Sequence, residues 1–483
     1  FADGPWGDRD LINALQVTEK RLINDKVISF IYDSLFLFPK ATSQFAKTIL
    51  SPITHARNFF SAATFQTANG IWFENPKVLA AAWRDAMGSL QPQNFKANTP
   101  QAQEFYRKLL KYRVVNSNVR MGDMSGLFKD VMEGRMTTDK TAKMMLQPNW
   151  FKKFSRWSQD MYVAEDDFWK GSNWIMERYR YKNAYKKAFN KGTIKEMPSD
   201  DAIEGMASNI VRNTVPNYEY VPEFIKSLRR LPIGNFVSFP AEILRTGTGI
   251  VQQSIKEIND PVLRAIGMKR LAGFAATMAI VPPAIVEMFK TIYDITSDEL
   301  AAIKRFLPSW SKNSTILPMK TEDGKLKYID FSHGFAYDTL TRPVQTVLNA
   351  VAAGETDEKT LMEGFMKGLA TSTAELGQPF VAESIWTEAL LDLLRGGGKT
   401  KDGKVLWTDQ TPYGERVTAG LNHIIRAQAP FSMQQMIRLG FAATGKPTRT
   451  IGPYKGTGQT FELTDEALGF TGYRPVPIDP IRS

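Results

Sequence analysis

The chain has 483 residues, 43% hydrophobic and 23% charged, with 61 Lys/Arg against 50 Asp/Glu, three histidines and no cysteine. On length it can hold about two to four domains with a sizeable core. The lack of cysteine excludes disulfides, thiol nucleophiles and thiolate metal sites without fixing a compartment. His55, His333 and His423 stand far apart with no metal-ligand spacing, so neither a zinc site nor a serine–histidine triad is expected.

The net charge of +11 points to an anionic partner, nucleic acid or a membrane surface. Most of the excess lies in residues 101–200, where twenty Lys/Arg face twelve Asp/Glu. The chain opens on Phe1 without a basic, apolar and small-residue leader pattern, which leads us to expect a piece of a longer polypeptide.

Helical periodicity dominates from the start. It predicts helices over about 9–36, 42–72, 100–114, 150–190, 199–213, 240–258, 260–281 and 283–294. Further helices are predicted over 334–352, 357–373, 380–395, 414–428 and 432–443. Pro52 after Ser51 suits a first helical turn, and Thr296 stands three residues before Glu299 with capping-box spacing. Strands are few. "STILPMKTEDGKLKYIDFS" reads as a hairpin turning at Asp323-Gly324, and "KTKDGKVLWTD" repeats the device around Asp402-Gly403. Beyond Gly445 the chain turns Gly/Pro-rich, as expected of an extended arm.

The expected fold is therefore mainly α, an elongated multi-helix assembly with two small β-hairpins and an extended C-terminal arm. Its regions are an N-terminal helical part (1–145), a basic, aromatic helical part (146–260), an apolar helical hairpin (261–310), a helical part with hairpins (311–445) and the arm (446–483).

Candidate chemistry is sparse. "RGGGKT" at 395–400 lacks the earlier glycine of a phosphate loop, since Leu393 stands there, and it follows a helical pattern rather than a strand. Glu165, Asp166 and Asp167 are consecutive, so on a helix they diverge by about 100° each, and pairing with nearby cations explains them better than catalysis. No catalytic, cofactor-binding or metal-binding residue is assigned. Arg178, Lys182 and Lys186 fall on one helical stripe beside Tyr181, Tyr185 and Phe189. With Lys152, Lys153 and Arg156 they are candidate contacts to DNA or another anionic surface, where bases or headgroups would meet the rings. A core stripe of aromatics flanked by solvated cations is the alternative.

"LAGFAATMAIVPPAIVEMFKTIY" at 271–293 passes about nineteen residues with only Thr277 and Glu287 polar. As one helix it would reach about 28 Å, barely the hydrocarbon thickness. Pro282 and Pro283 would break it, and broken backbone in lipid needs other protein to satisfy it. Residue physics favours two apolar helices, about 260–281 and 283–294, packed together in a core, and also permits insertion together with partner subunits. Leu271, Phe274, Met278, Ile280, Pro282, Pro283, Ile285 and Phe289 are the candidate membrane or subunit contacts.

Several segments follow one another in a recognisable order. They are "SPITHARNFFSAATFQTANG" (51–70), "MYVAEDDFWKGSNW" (161–174), "NTVPNYEYVPEFIKSLRRLPIGNFVSFPAEILRTG" (213–247), the apolar run at 271–289, "YIDFSH" (328–333) and "LGFTGYRPVPIDP" (468–480). In this order the chain resembles the C-terminal part of the large internal virion proteins of T-seven-like short-tailed phages, and related regions of very large polyvalent phage proteins. The resemblance implies a non-enzymatic core protein, stacked on the portal inside the capsid around packaged double-stranded DNA. It implies ejection through the tail and reassembly with sister copies, as a homo-oligomer ring, into a conduit across the host inner membrane. Partners would be other internal core proteins and the portal. The glutamate-bearing motif of the lytic transglycosylase carried by some members has no match here. Two alternatives stay open: a fragment of a large virion-carried enzyme, and a basic helical DNA-binding module.

Overall fold

The computed structural model describes residue 47 and residues 51–90, 99–115, 149–217, 238–307, 315–331, 385–395, 397–400, 405–428, 431–445 and 460–478, with isolated positions between 357 and 364. Three helices open on the same local device. Helix α1 (Pro52–Ala68), α2 (Pro76–Gly88) and α3 (Pro100–Lys111) each carry proline in the first turn, where a missing N–H costs nothing. The Asn75 side chain accepts from Lys77 N at 2.9 Å and Thr99 from Ala102 N at 3.2 Å, capping α2 and α3.

The spine is α4 (Asn149–Asn190), 42 residues and therefore about 63 Å long. Its middle is buried on several sides. Phe168 and Trp169 pack with Ala86 and Leu90, while Trp174 packs with Leu109, Ala207 and Val211. Helix α5 (Asp200–Thr214), capped by Ser199, runs beside it, and the Trp174 indole donates to Ser208 Oγ at 2.7 Å.

The central core joins three further segments. Helix α6 (Ser238–Asn259) contributes Ile243, Ile250, Val251, Ile255 and Ile258, and α1 contributes Phe65 and Ala68. Helix α7 (Arg264–Ala275) adds Leu271 and Phe274, and Met278 follows it. The turn at 260–263, near the expected boundary between the second and third regions, thus joins two helices of one core. Backbones meet closely here: a Cβ on Gly273 would lie 2.4 Å from Gly70 Cα, and Gly70 itself has φ 67°.

A π-turn (Ala276–Ile280) leads into α8 (Val281–Ile292), and α9 (Ser297–Arg305) follows with the full Thr296–Glu299 capping box. Strands β1 (Ile316–Lys320) and β2 (Leu326–Asp330) pair antiparallel with Leu317 opposite Ile329, and Gly324 takes φ 79° in the predicted turn. Helix α10 (Ile385–Leu394) ends at the glycine run, where Gly397 and Gly398 have positive φ. Lys399 then bridges Val405 antiparallel, while the expected Asp402-Gly403 turn lies outside the described residues. Helices α11 (Tyr413–Gln428) and α12 (Phe431–Thr444) complete the helical part. The described residues are mainly helical with a small antiparallel sheet.

The C-terminal segment differs from a plain extended arm. It forms a short helix, α13 (Leu463–Leu468), and then β3 (Val476–Pro477), which pairs with β2 through Val476 and Tyr328. Charge fixes it in place. The buried Glu466 carboxylate accepts from Arg474 Nε and Gln435 Nε2, each at 2.7 Å, and Lys327 donates to Asp465 at 2.7 Å. The predicted helices at 9–36 and 334–352 lie outside the described residues, as does most of 357–373.

Candidate functional site: an apolar helix anchored at one end

The apolar run forms one interrupted helix, Arg264–Ile292, rather than the expected pair of helices packed as a hairpin. The reason lies in how the prolines are seated. Val281 N–H reaches back to Ala276 O across the π-turn, so Pro282 and Pro283 fall in the first turn of α8, where no intrahelical donor is required. The adjustment falls at Ile280, whose φ of −109° is wider than ordinary helical values near −63°. By length and composition this helix could cross a membrane, yet only 39% of its most apolar eighteen-residue window is buried.

That partial burial is divided sharply along its length. Leu271, Phe274 and Met278 are buried in the central core at 3%, 0% and 2% exposure. Ile280 is 61% exposed, Pro282 is buried, Pro283 is exposed, and Ile285 and Phe289 are half-buried, with the Phe289 ring beside Tyr293. The eight candidate residues therefore do not share one surface. The outward face is Ile280, Ala284, Met288 and Ile292 at steps of four, and three of these were not singled out from the sequence.

The inner half is held by buried charge. The Arg270 guanidinium is fully buried and makes five hydrogen bonds. It donates to Glu177 Oε1 and Oε2 at 2.8 Å each, to Glu257 at 2.9 and 3.0 Å, and to Asn69 Oδ1 at 2.7 Å. Arg180 donates to Glu177 at 3.1 Å and to Asn69 O at 2.9 Å. Tyr181 and Gln253 both donate to Glu257 Oε1, at 2.7 and 2.9 Å. Burial pushes the Glu177 carboxyl up, but Arg270 and Arg180 outweigh it and hold the group below the ordinary range. Burial likewise pulls on Arg270, and the two glutamates more than restore its charge. The cluster ties the end of α1, the middle of α4, α6 and α7 into one polar knot inside an apolar core.

Sequence reasoning missed this knot, although a signal existed. Arg270 occupies the step between Ile266 and Phe274 on a buried stripe, and Glu177 sits between Trp174 and Tyr181 on another. A charge at such a position has to find a buried counter-charge.

The predicted basic stripe is largely occupied by acids of α5. Arg178 donates to Glu204 at 3.2 Å and lies over the Trp174 ring, and Lys182 donates to Asp200 at 2.7 Å. Lys186 and Lys153 are exposed, while the side chains of Lys152 and Arg156 lie outside the description. Of the adjacent rings, Tyr181 belongs to the buried knot, Tyr185 is half-buried and Phe189 is 46% exposed. The acidic triplet splays three ways: Glu165 to His55 at 2.9 Å, Asp166 to Lys170 at 2.6 Å, and Asp167 to the Tyr106 hydroxyl at 3.0 Å. Burial, reinforced by Asp166, pushes the Asp167 carboxyl up to about 7. Among the described residues no three His, Asp or Glu side chains converge as a metal site.

His55 also approaches Ser158 Oγ at 3.3 Å, giving a Ser–His–Glu chain. Ser158 is 2% exposed and lies within α4, whose backbone N–H groups are committed to the helix, so among the described residues that chain has neither an open approach for substrate nor donors for an oxyanion. No protein family, curated protein or solved structure matches the chain.

Proposed function

We propose that this chain is an internal virion protein of a short-tailed phage, ejected at infection to help build the conduit that carries the genome across the host envelope. Its place before infection would be the capsid core beside the portal and double-stranded DNA. Its place afterwards would be the cell envelope, in contact with the inner membrane and sister copies.

One observation carries this reading. Four segments on which the phage resemblance rests contribute to the same interior, although more than two hundred positions separate the packed residues of the first from those of the last. Phe65 and Ala68 from the first segment meet Ile243 from the third and Leu271, Phe274 and Met278 from the fourth. Phe168 and Trp169 from the second pack onto the same α1 through Ala62, which also borders the central core. The divided helix adds support. A segment that is sheltered in one state and faces lipid in another needs an anchored part and an exposed apolar part.

The test has two arms. Imaging intact virions without imposed high symmetry should place the chain on the portal axis; finding it on the outer shell, or retained in emptied heads, would overturn the proposal. Flotation of the chain with anionic vesicles, as monomer and as assembly, should show binding, and its absence in both forms would remove the membrane half.

A further inference from the structure

We infer that α8 is a hinged element, able to swing about residues 276–283 as a unit while α7 stays fixed. Three separate observations meet at this point. First, the backbone ladder is interrupted there. Pro282 and Pro283 have no N–H to donate, and the last donor before them, Val281 N–H, is spent on a π-type bond to Ala276 O. Thr277 Oγ1 also donates to Gly273 O at 2.7 Å, a back-bond that bends helices. The junction residue Ile280 has φ −109°, wider than the usual helical value, so the link between the two halves is a π-turn followed by an irregular residue.

Second, the two sides of this link are held very unequally. Helix α7 carries the five Arg270 hydrogen bonds. It also makes backbone approaches so close that a Cβ on Gly267 would lie 2.7 Å from Ile258 N. Helix α8 rests on β1 with a single fully buried residue, Pro282, and its Lys290–Glu287 ion pair is internal to the helix. Third, the far end of α8 runs into a left-handed turn. Asp294 adopts φ 48°, a left-handed conformation uncommon for a residue with a side chain, and its carbonyl is tethered by Lys320 Nζ at 2.7 Å. A short rigid helix between a proline-broken joint and a left-handed turn has the parts of a hinge motion. The hinge stands whether or not the chain meets lipid, so failure of vesicle binding would leave it untouched.

The lack of cysteine makes the test direct. Spin labels on Met268→Cys and Met288→Cys, both on exposed positions, report across the joint, with about 30 Å expected for a straight helix. Labels on Lys256→Cys and Met268→Cys report within the anchored part. We expect the 268/288 pair to give a second, shorter-distance population that the control pair lacks, and Pro282→Ala/Pro283→Ala to lose it. Pro283→Ala alone, at an exposed site, restores one donor and should reduce that population if the double variant fails to fold. A 268/288 distribution as narrow as the control, or one unchanged by the alanines, would overturn the hinge.

Discussion

Replacing Arg270 by methionine isolates the electrostatic worth of the buried knot, because Met keeps much of the aliphatic volume and removes only the guanidinium. Glu177 would keep Arg180, and Glu257 would keep the Tyr181 and Gln253 hydrogen bonds, but each carboxylate would lose two bonds from its buried cation. Breaking a buried ion pair from one side costs about 3–5 kcal/mol, a large part of the roughly 5–15 kcal/mol that holds a domain folded. The pH dependence gives a second signature. In the parent chain Glu177 is held below its ordinary range, so its contribution is present above about pH 4.3 and is lost as pH falls through the folded value. Without Arg270 the cost of burying the charge gains weight and that carboxyl rises, so its contribution is lost instead as pH rises. Urea unfolding followed by circular dichroism should therefore show a loss of about 3–5 kcal/mol at pH 8 that shrinks at pH 5. Adding Glu177→Gln and Glu257→Gln should recover most of it, since the uncompensated charges go too. A loss below about 1 kcal/mol, or one equal at both pH values, would refute the knot as an anchor.

Three further outcomes are expected. Asp167, raised from 3.8 to about 7, favours folding below pH 4, and that contribution is lost as pH rises through 7. Asp167→Asn should flatten the decline and leave the variant up to about 4 kcal/mol more stable at pH 8, measured by unfolding across that range. Gly273→Ala should cost about 1–3 kcal/mol by overpacking against Gly70 and Thr67, whereas Gly205→Ala, with open space at its Cβ inside α5, should stabilise by about 0.5–1 kcal/mol. Neutralising Arg178, Lys182 and Lys186 together should change DNA retention little, because the first two already face Glu204 and Asp200; retention abolished by the triple change would restore the DNA-binding alternative.

Local rules made much of the described fold legible and failed where pairing is distant. Periodicity over 150–190 and 199–213 matches Asn149–Asn190 and Asp200–Thr214 because both stretches keep helical spacing and the second has a clear Ser199 cap. The Asp323-Gly324 turn and the Thr296 capping box are short-range devices and were readable as such. Helix α2 was overlooked although Asn75-Pro76 announces it and Leu79, Ala82 and Ala86 fall on one buried face. The pairing of Val476 with Tyr328 spans nearly 150 residues, and neither segment carries a mark of its partner.

The apolar run shows the same limit at the candidate site. Its composition revealed that it was apolar and that the prolines mattered, but not that they could sit in the first turn of α8 behind a π-turn. That outcome depends on what fixes the preceding half. Buried ion clusters are poor sources of net stability compared with apolar packing, yet they are costly to break from one side. Their use under α7 rather than α8 therefore favours position over stability: Arg270 finds all its partners in one register of α7 against α4 and α6. With the first half held so specifically, the break at Pro282–Pro283 need not unfold the helix. It separates a half whose location is determined from a half whose apolar face is left outward, and that asymmetry is what supports the change of environment proposed for the second half.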